Sequence, residues 1–406
     1  MNGKSIKTVY IVGAGFSSYA GLPLTTHFTK ALIEARKFAS GPSRMIVDFL
    51  SRFIRETFDH STTAGADTWP ELEDIFTCVD LSANSGHNLG ENFAPSDLRT
   101  VRRAILVRIF RMLDQKYGDA RKKKSKDWRT LDKFFDGLDA GSVGFISMNW
   151  DCVLERKLQN ILGGPLIDYG CSAIAAAMPD LPNRDDWHTQ VGYEKQLRKP
   201  QIVQVGKTLT EEEVEKCIPL IKIHGSINWL YCDNCRRLFW FHPDQTLRIA
   251  DQLVRKDDLR CIGKVLGKDD AGTKKTISRL DEKPKTLCLC SNQVPLSARL
   301  ATFSYRKALE FPMFQKSWFA AEEILRTADE WIFIGYSLPP ADFEFKYLLK
   351  RMQLCRSIRP VIKVVSGGDE DSVARTYWNY YRFFGRGIKK DVTFWGGGLS
   401  EYLEQL

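Results

Sequence analysis

The sequence predicts an α/β protein built on a parallel sheet with helices on both faces, and three observations carry that prediction. Short apolar runs of strand length recur at Lys7–Val12, Gly144–Ser147, Leu220–Ile223, Trp331–Ile334 and Val361–Val365. Between them lie stretches of helical period at Thr26–Phe38, Met45–Phe58, Ser96–Tyr117, Leu131–Leu138 and Trp318–Ala328. Strands that alternate with helices pair in parallel and are buried on both sides. Finally, each run opens onto small or polar residues at its carboxyl end: Gly13-Ala14-Gly15, Asn149 and Asp151, His224-Gly225, Gly335 and Ser337, and Ser366-Gly367-Gly368-Asp369. Open α/β sheets bind their ligands at that edge.

At 406 residues the chain can bury a large core, and its 43% hydrophobic and 27% charged content is ordinary for a globular protein. No run approaches the roughly 18 apolar residues of a membrane span. Met1–Ser5 supply no apolar leader before the first strand. A cytoplasmic protein is therefore expected. The net charge of +9 comes from 59 basic and 50 acidic side chains, and part of it sits in the run from Arg121 to Lys126. That run reads as a solvated loop, with nucleic acid or another acidic partner as the sharper alternative. Ten cysteines in such a chain argue against a disulfide framework. Cys78, Cys152, Cys171, Cys217 and Cys355 lie among apolar neighbours and read as buried, inert thiols.

The stretch between the first two strands is mostly helical and too long for one crossover, so residues 25–139 are expected to be a helical insertion. Residues 231–295 are polar, rich in cysteine and lysine, and carry Gly263, Gly267 and Gly272. They read as a small cysteine-containing module held by something other than an apolar core. The remaining 1–24, 140–230 and 296–406 make a Rossmann-like core, the whole of 1–406 forming one domain. The polar stretch 180–215 reads as a surface excursion.

Five stretches carry chemistry. In "GAGFSSYAGLP", Gly13–Pro23, two glycines allow a tight turn and close approach of a pyrophosphate, whose charge the next helix's amides would meet. Ser18 replaces the third glycine of the dinucleotide fingerprint. No acidic residue ends a second strand about 20 residues on, which weakens a hydride-transfer reading. Asn149 and Asp151 of "FISMNWD" fit either a site or a helix cap before Val153. His224 fits either a hydrogen-bonded structural residue or a catalyst, with Gly225 permitting close ligand approach. In "IFIGYSLPPADFEF" the polar residues again follow a strand, Asp342 beginning a helix; a plain strand-to-helix connection is the alternative. Cys232-X-X-Cys235 and Cys288-X-Cys290 offer four thiolates for a tetrahedral structural zinc. The short second spacing leaves Cys261 or His242 as alternative ligands, and a metal-free module as another alternative.

Taken in this order, the stretches resemble the sirtuin (Sir2) family. The opening loop is similar to its Gly-Ala-Gly-X-Ser-X-X-Ala-Gly-Ile-Pro motif, with Leu22 for isoleucine. Ser147–Asp151 resembles its Thr-Gln-Asn-X-Asp, His224-Gly225 its His-Gly, and Gly335-Tyr336-Ser337 its Gly-Thr-Ser. The cysteine pairs fall where that family carries its zinc module, and the matches span residues 8 to 370. One departure is informative: sirtuin deacylases continue with Asp-Phe-Arg, whereas Pro23 is followed here by Leu24-Thr25-Thr26-His27. "ELEDIFT" at Glu71–Thr77, "HGSINW" and "GYSLPPAD" are instead similar to a bacterial Sir2-like branch that destroys NAD+ in antiphage defence (the SIR2–HerA type).

The resemblance implies NAD+ as substrate, lying against Gly13, Ala14, Gly15, Phe16, Ser17 and Ala20 of the loop, against Gly335, Tyr336 and Ser337, and with its adenosine near Gly367. It implies Asn149 holding the ribose and orienting a water, His224 as base to a ribose hydroxyl or that water, and Asp151 fixing the geometry around Asn149 or the nicotinamide amide. Phe16 either shields the nicotinamide or packs. The activity so implied is NAD+ glycohydrolysis; the alternatives are an NAD-dependent protein deacylase and a non-catalytic NAD or ADP-ribose scaffold. The resemblance also implies a homo-oligomer and a HerA-like hexameric ATPase as partner, with the helical insertion as the assembly surface.

Overall fold

A computed structural model describes residues 6–34, 41–59, 69–162, 167–178, 201–205, 210, 213, 216–267, 286–298, 300, 312–385 and 392–405. Most of the 180–215 excursion, Gly272 and residues 35–38 of the first helix lie outside them.

The expected strands form at the centre of the chain's architecture. β1 (Thr8–Val12) is flanked by β2 (Val143–Ser147) on one side and by β11 (Glu330–Ile334) on the other. β7 (Ile218–Lys222) and β3 (Ile167–Asp168) continue the sheet beyond β2, while β12 (Val361–Val365) and β13 (Val392–Trp395) continue it beyond β11. The order is β13-β12-β11-β1-β2-β7-β3, every pairing parallel. Alternate side chains serve two separate cores, as a period of two requires. Tyr10, Val12, Phe145 and Ile334 face one core; Val9, Ile11, Ile146, Trp331 and Phe333 face the other. Because both sides are covered, the strands read as unbroken apolar runs.

The second face is covered by helices Pro312–Thr327, Phe343–Leu354 and Glu370–Phe384. After β1 comes α1 (Ala14–Ser18), a single turn, and then a helical layer: α2 (Phe28–Glu34), α3 (Gly41–Phe58), α4 (Leu72–Ser85), α5 (Pro95–Lys123) and α6 (Lys126–Asp136). α6 joins this layer to the sheet, its Phe134 lying edge-on to Tyr10 and Phe16 at 5.2 and 5.7 Å. α7 (Val153–Leu162) follows β2.

Three expectations change here. The Arg121–Lys126 run is not a free loop. Arg121–Lys123 form the last turn of α5, Lys124 caps it in the left-handed conformation at φ 47°, and Ser125 starts α6 by accepting from the Trp128 amide. Cations at a helix carboxyl end complement its dipole, which accounts for much of the cluster. Residues 231–295 are not one coreless module either. Helices Thr246–Leu253 and Lys256–Leu266 bury Ile249, Leu253, Leu259 and Ile262 against the helical layer. Asp258, buried, takes the Arg103 guanidinium and the Thr100 hydroxyl of α5. They are short, and the polar, cysteine- and lysine-rich composition of the 231–295 segment as a whole hid them. Of the scattered thiols, Cys152 and Cys217 are buried, Cys78 and Cys171 half-buried, and Cys355 exposed.

The cysteine-bearing part is smaller. β8 (Trp229–Tyr231) and β9 (Leu238–Phe241) form an antiparallel hairpin, extended by β4 (Ala173–Ala177) and β6 (Gln204–Val205). β5 (Gln201–Ile202) pairs with β10 (Thr286–Leu287) beside it. No helix among the described residues is long and apolar enough to cross a membrane.

Candidate active site

The strand register sets the site. Val12 stands opposite both Ser147 of β2 and Ile334 of β11, so the three strands end level. The residues just beyond continue the ladder: Gly13 N donates to Ile334 O, Met148 N to Val12 O, and Gly335 N to Val365 O. Loops leaving this edge must therefore cross closely.

They cross glycine on glycine. A Cβ on Gly13 would stand 2.6 Å from the Gly335 oxygen, and one on Gly335 only 2.2 Å from the Phe16 nitrogen. Gly335 is also left-handed, at φ 60°. The close approach inferred from the sequence is thus first of all between two backbones. Gly15 N donates to Gly335 O and Phe16 N to Gly13 O, which takes those amides, with that of Gly13, away from a phosphate. α1 is one turn, not the long helix of a dinucleotide loop. Phe16 and Ala20 are fully buried, Phe16 against Phe134 and Phe135, so both side chains are part of the core.

Ser17, Asn149 and Asp151 come together behind this crossing. Asn149 Nδ2 donates to Gly13 O at 2.8 Å and to Ser17 Oγ at 2.9 Å. The Gly13 carbonyl can only accept, so the amide orientation is fixed. Asn149 Oδ1 then has no protein donor among the described residues and is left as an acceptor. Ser17 Oγ in turn donates its hydroxyl to Asp151 Oδ2 at 2.6 Å. Asp151 Oδ1 accepts from Val153 N at 3.0 Å, so Asp151 is both helix cap and anchor of Asn149.

Beneath them lies a buried ion pair that sequence reading did not find. Lys222 Nζ is 3.2 Å from Glu155 Oε1 and also donates to the Asp151 carbonyl; neither side chain is more than 1% exposed. Burial holds the Glu155 carboxyl above its usual range while Lys222 pulls it down. Removing one partner of such a pair strands the other charge, at about 3–5 kcal/mol. Lys222→Met should cost that much in urea unfolding, and Lys222→Met with Glu155→Leu should regain most of it.

His224 follows β7 and sits beside the same loop. Its Nδ1 is 3.1 Å from Met148 O, an obligate acceptor, which places the ring proton on Nδ1 and the lone pair on Nε2. Nε2 lies 3.9 Å from Asp342 Oδ1. Tyr336, expected against a ligand, is buried and instead donates its hydroxyl to Asp342 Oδ2 at 2.8 Å. Ser337 is exposed, its carbonyl taken by Asn379 Nδ2 at 3.0 Å. Gly367 lies against Gly398, and Tyr19 closes that end by accepting from Leu399 N at 2.8 Å.

Cys232, Cys235, Cys288 and Cys290 gather with their sulfurs all within 4.8 Å of one another. The Cys235–Cys288 and Cys232–Cys290 separations are 3.5 and 3.9 Å. A zinc tetrahedron with bonds of about 2.3 Å has edges of about 3.8 Å, whereas a disulfide needs about 2.05 Å. The four residues therefore fit zinc. A hydrogen bond donated by Asn234 Nδ2 draws the Cys290 thiol down to about 6, while burial pushes Cys232 and Cys288 up. Cys261 bonds instead to Asp97, and His242 to the Asp244 amide, so neither belongs to the cluster. Purified protein should carry about one zinc per chain by elemental analysis. Cys235→Ser should lose it and lower the unfolding midpoint; full stability without metal would refute a structural role.

Level strand ends, a glycine crossing and two polar networks thus lie at the carboxyl edge of the sheet, where open parallel α/β sheets generally bind ligands. Comparison with solved structures adds sirtuin structures. One, a study of the mechanism and regulation of Sir2 enzymes, is 12% identical, with 99% of this chain and 91% of that chain covered and a TM-score of 0.36. A study of sirtuin substrate affinity gives 11%, 99%, 93% and 0.35. A Sir2 complex with a p53 peptide and NAD+ gives 11%, 99%, 92% and 0.33. No protein-family model matches the chain, and no curated protein does.

Proposed function

We propose that this chain is an NAD+ glycohydrolase, cleaving the nicotinamide–ribose bond to give nicotinamide and ADP-ribose. The observation that carries the reading is the fixed polarity of two side chains. Asn149 is held with its carbonyl oxygen as acceptor, and His224 with Nε2 as base, at the carboxyl ends of adjacent strands. The motif resemblance supplies the substrate.

In NAD+ the leaving group is a cationic pyridinium that departs neutral, so cleavage requires no general acid. Asn149 Oδ1 accepts from a ribose hydroxyl or from the attacking water. His224 Nε2 takes the water proton as oxygen bonds to C1′ and the C1′–N electron pair leaves with nicotinamide. Ser17 and Asp151 keep Asn149 in place. Ala14, Ser337 and Gly367 line the nucleotide in this reading. Zinc, held by Cys232, Cys235, Cys288 and Cys290, supplies fold stability alone.

An unrestrained enzyme of this kind would drain its own cell. The reading therefore includes control by self-assembly or by a HerA-like hexameric ATPase in bacterial antiphage defence. The test is direct: purified protein with NAD+, alone and with such a partner, with and without acyl-lysine peptide, following nicotinamide and ADP-ribose. Equal turnover without peptide supports hydrolysis. Turnover that requires the peptide would identify a deacylase, and tight binding without release would leave a scaffold.

A further inference from the structure

We propose that Asp342 is the positioning carboxylate of His224, balancing the charge of the ring once it is protonated, with Tyr336 holding Asp342 for that purpose. The proposal deepens the hydrolase reading, from which it takes His224 as the base.

Three independent observations carry it. Asp342 and His224 are both buried, with Oδ1 and Nε2 3.9 Å apart. Asp342 also stands at the cap position of helix Phe343–Leu354, where an aspartate ordinarily accepts from the helix amides. It makes no such bond. Its carboxylate is turned instead to the Tyr336 hydroxyl, and Tyr336 is fixed in turn by the Tyr380 hydroxyl donating to its carbonyl at 2.8 Å. Finally, the connecting loop is bent at two left-handed residues, Gly335 at φ 60° and Leu338 at φ 54°. Leu338 is fully buried and precedes Pro339, so the second bend costs about 1–2 kcal/mol with no glycine to relieve it. A helix start needs no such bend; bringing Asp342 back to the sheet edge does.

The separation decides how the pair acts. At 3.9 Å there is no direct hydrogen bond, so the resting pair does not share a proton. The effect is through charge: a carboxylate at this distance favours the imidazolium and so raises its pKa. As water attacks C1′, its O–H bond breaks and the proton bonds to Nε2. Asp342 forms no new covalent bond, and the proton later leaves Nε2 for solvent. Other groups near the ring are held by their own partners. Asp151 is bonded to Ser17 and Val153 N, and Lys222 is paired with Glu155. Burial keeps the Tyr336 and Tyr380 hydroxyls neutral.

The experiment is a histidine-ring NMR titration of the full chain, 15N-labelled at histidine, without NAD+. His224 is assigned by the signal lost in His224→Gln. The expected result is an Nδ1-protonated neutral ring whose pKa falls by about one unit or more in Asp342→Asn. Asp342→Ser, which can cap the helix, provides a second charge-free variant and should give the same fall. In turnover assays the acidic limb should move to lower pH by a similar amount, because a weaker base stays unprotonated further down the scale. An unchanged His224 pKa in either folded variant overturns the proposal. The titration needs no catalysis, so a protein that fails to cleave NAD+ would sink the hydrolase reading and leave this one standing.

Discussion

His224→Ala should lower NAD+ turnover by about 10²–10⁴-fold, the range for a positioned acid–base group, without unfolding the chain. The side chain bonds through Nδ1 to Met148 O at the sheet's edge, and Met148 N remains tied to Val12 O by the backbone. The loop thus keeps its anchor when the ring is lost. Circular dichroism and urea unfolding should report a native fold while nicotinamide release falls. Asn149→Ala should lose as much in rate, but with a larger stability cost, since Gly13 O and Ser17 Oγ both lose their donor. A folded His224→Ala enzyme that still hydrolyses NAD+ would mean that the base lies elsewhere.

Gly335→Ala should have the largest effect on the fold of any single methyl group at the site. The new carbon would meet the Phe16 nitrogen at 2.2 Å and the Gly15 carbonyl carbon at 2.3 Å, both backbone atoms that cannot rotate away. The left-handed backbone adds about 1–2 kcal/mol and the overpacking about 1–3, so a loss of roughly 2–5 kcal/mol is expected in urea unfolding. Turnover should fall with it, because parting the loops moves the Gly13 carbonyl that orients Asn149. Gly118→Ala is the control. Gly118 lies within α5 with nothing inside 4 Å of an added Cβ, and the same chemical change there should stabilise by about 0.5–1 kcal/mol. Equal effects at the two positions would refute the crossing as the cause.

Much of the fold was legible for a simple reason. A parallel strand buried on both faces is an unbroken apolar run, and five of the seven sheet strands were read to within two residues. Harder elements lacked such a signal. β13 is four residues long, and the helices Thr246–Leu253 and Lys256–Leu266 are short and lie in a segment whose overall composition is polar. At the site, Asn149, Asp151, His224 and the four cysteines stood out because polar residues following an apolar strand, or thiols in pairs, are visible in one dimension. Asp342 was visible only as a helix start. The Lys222–Glu155 pair joins a strand and a helix 67 positions apart and leaves no local pattern.

By itself, then, the sequence determined the parallel α/β class, the edge at which polar residues collect and the thiols that fit a metal, since each follows from periodicity or spacing along the chain. Tertiary structure alone decided how those parts face one another. It showed that Gly13, Gly15 and Gly335 make room for backbone against backbone, that Phe16 and Ala20 belong to the core, and that Asp342 accepts from the Tyr336 hydroxyl rather than capping its helix. These depend on strand register and on loops meeting across the sheet, and no neighbouring residue encodes such contacts.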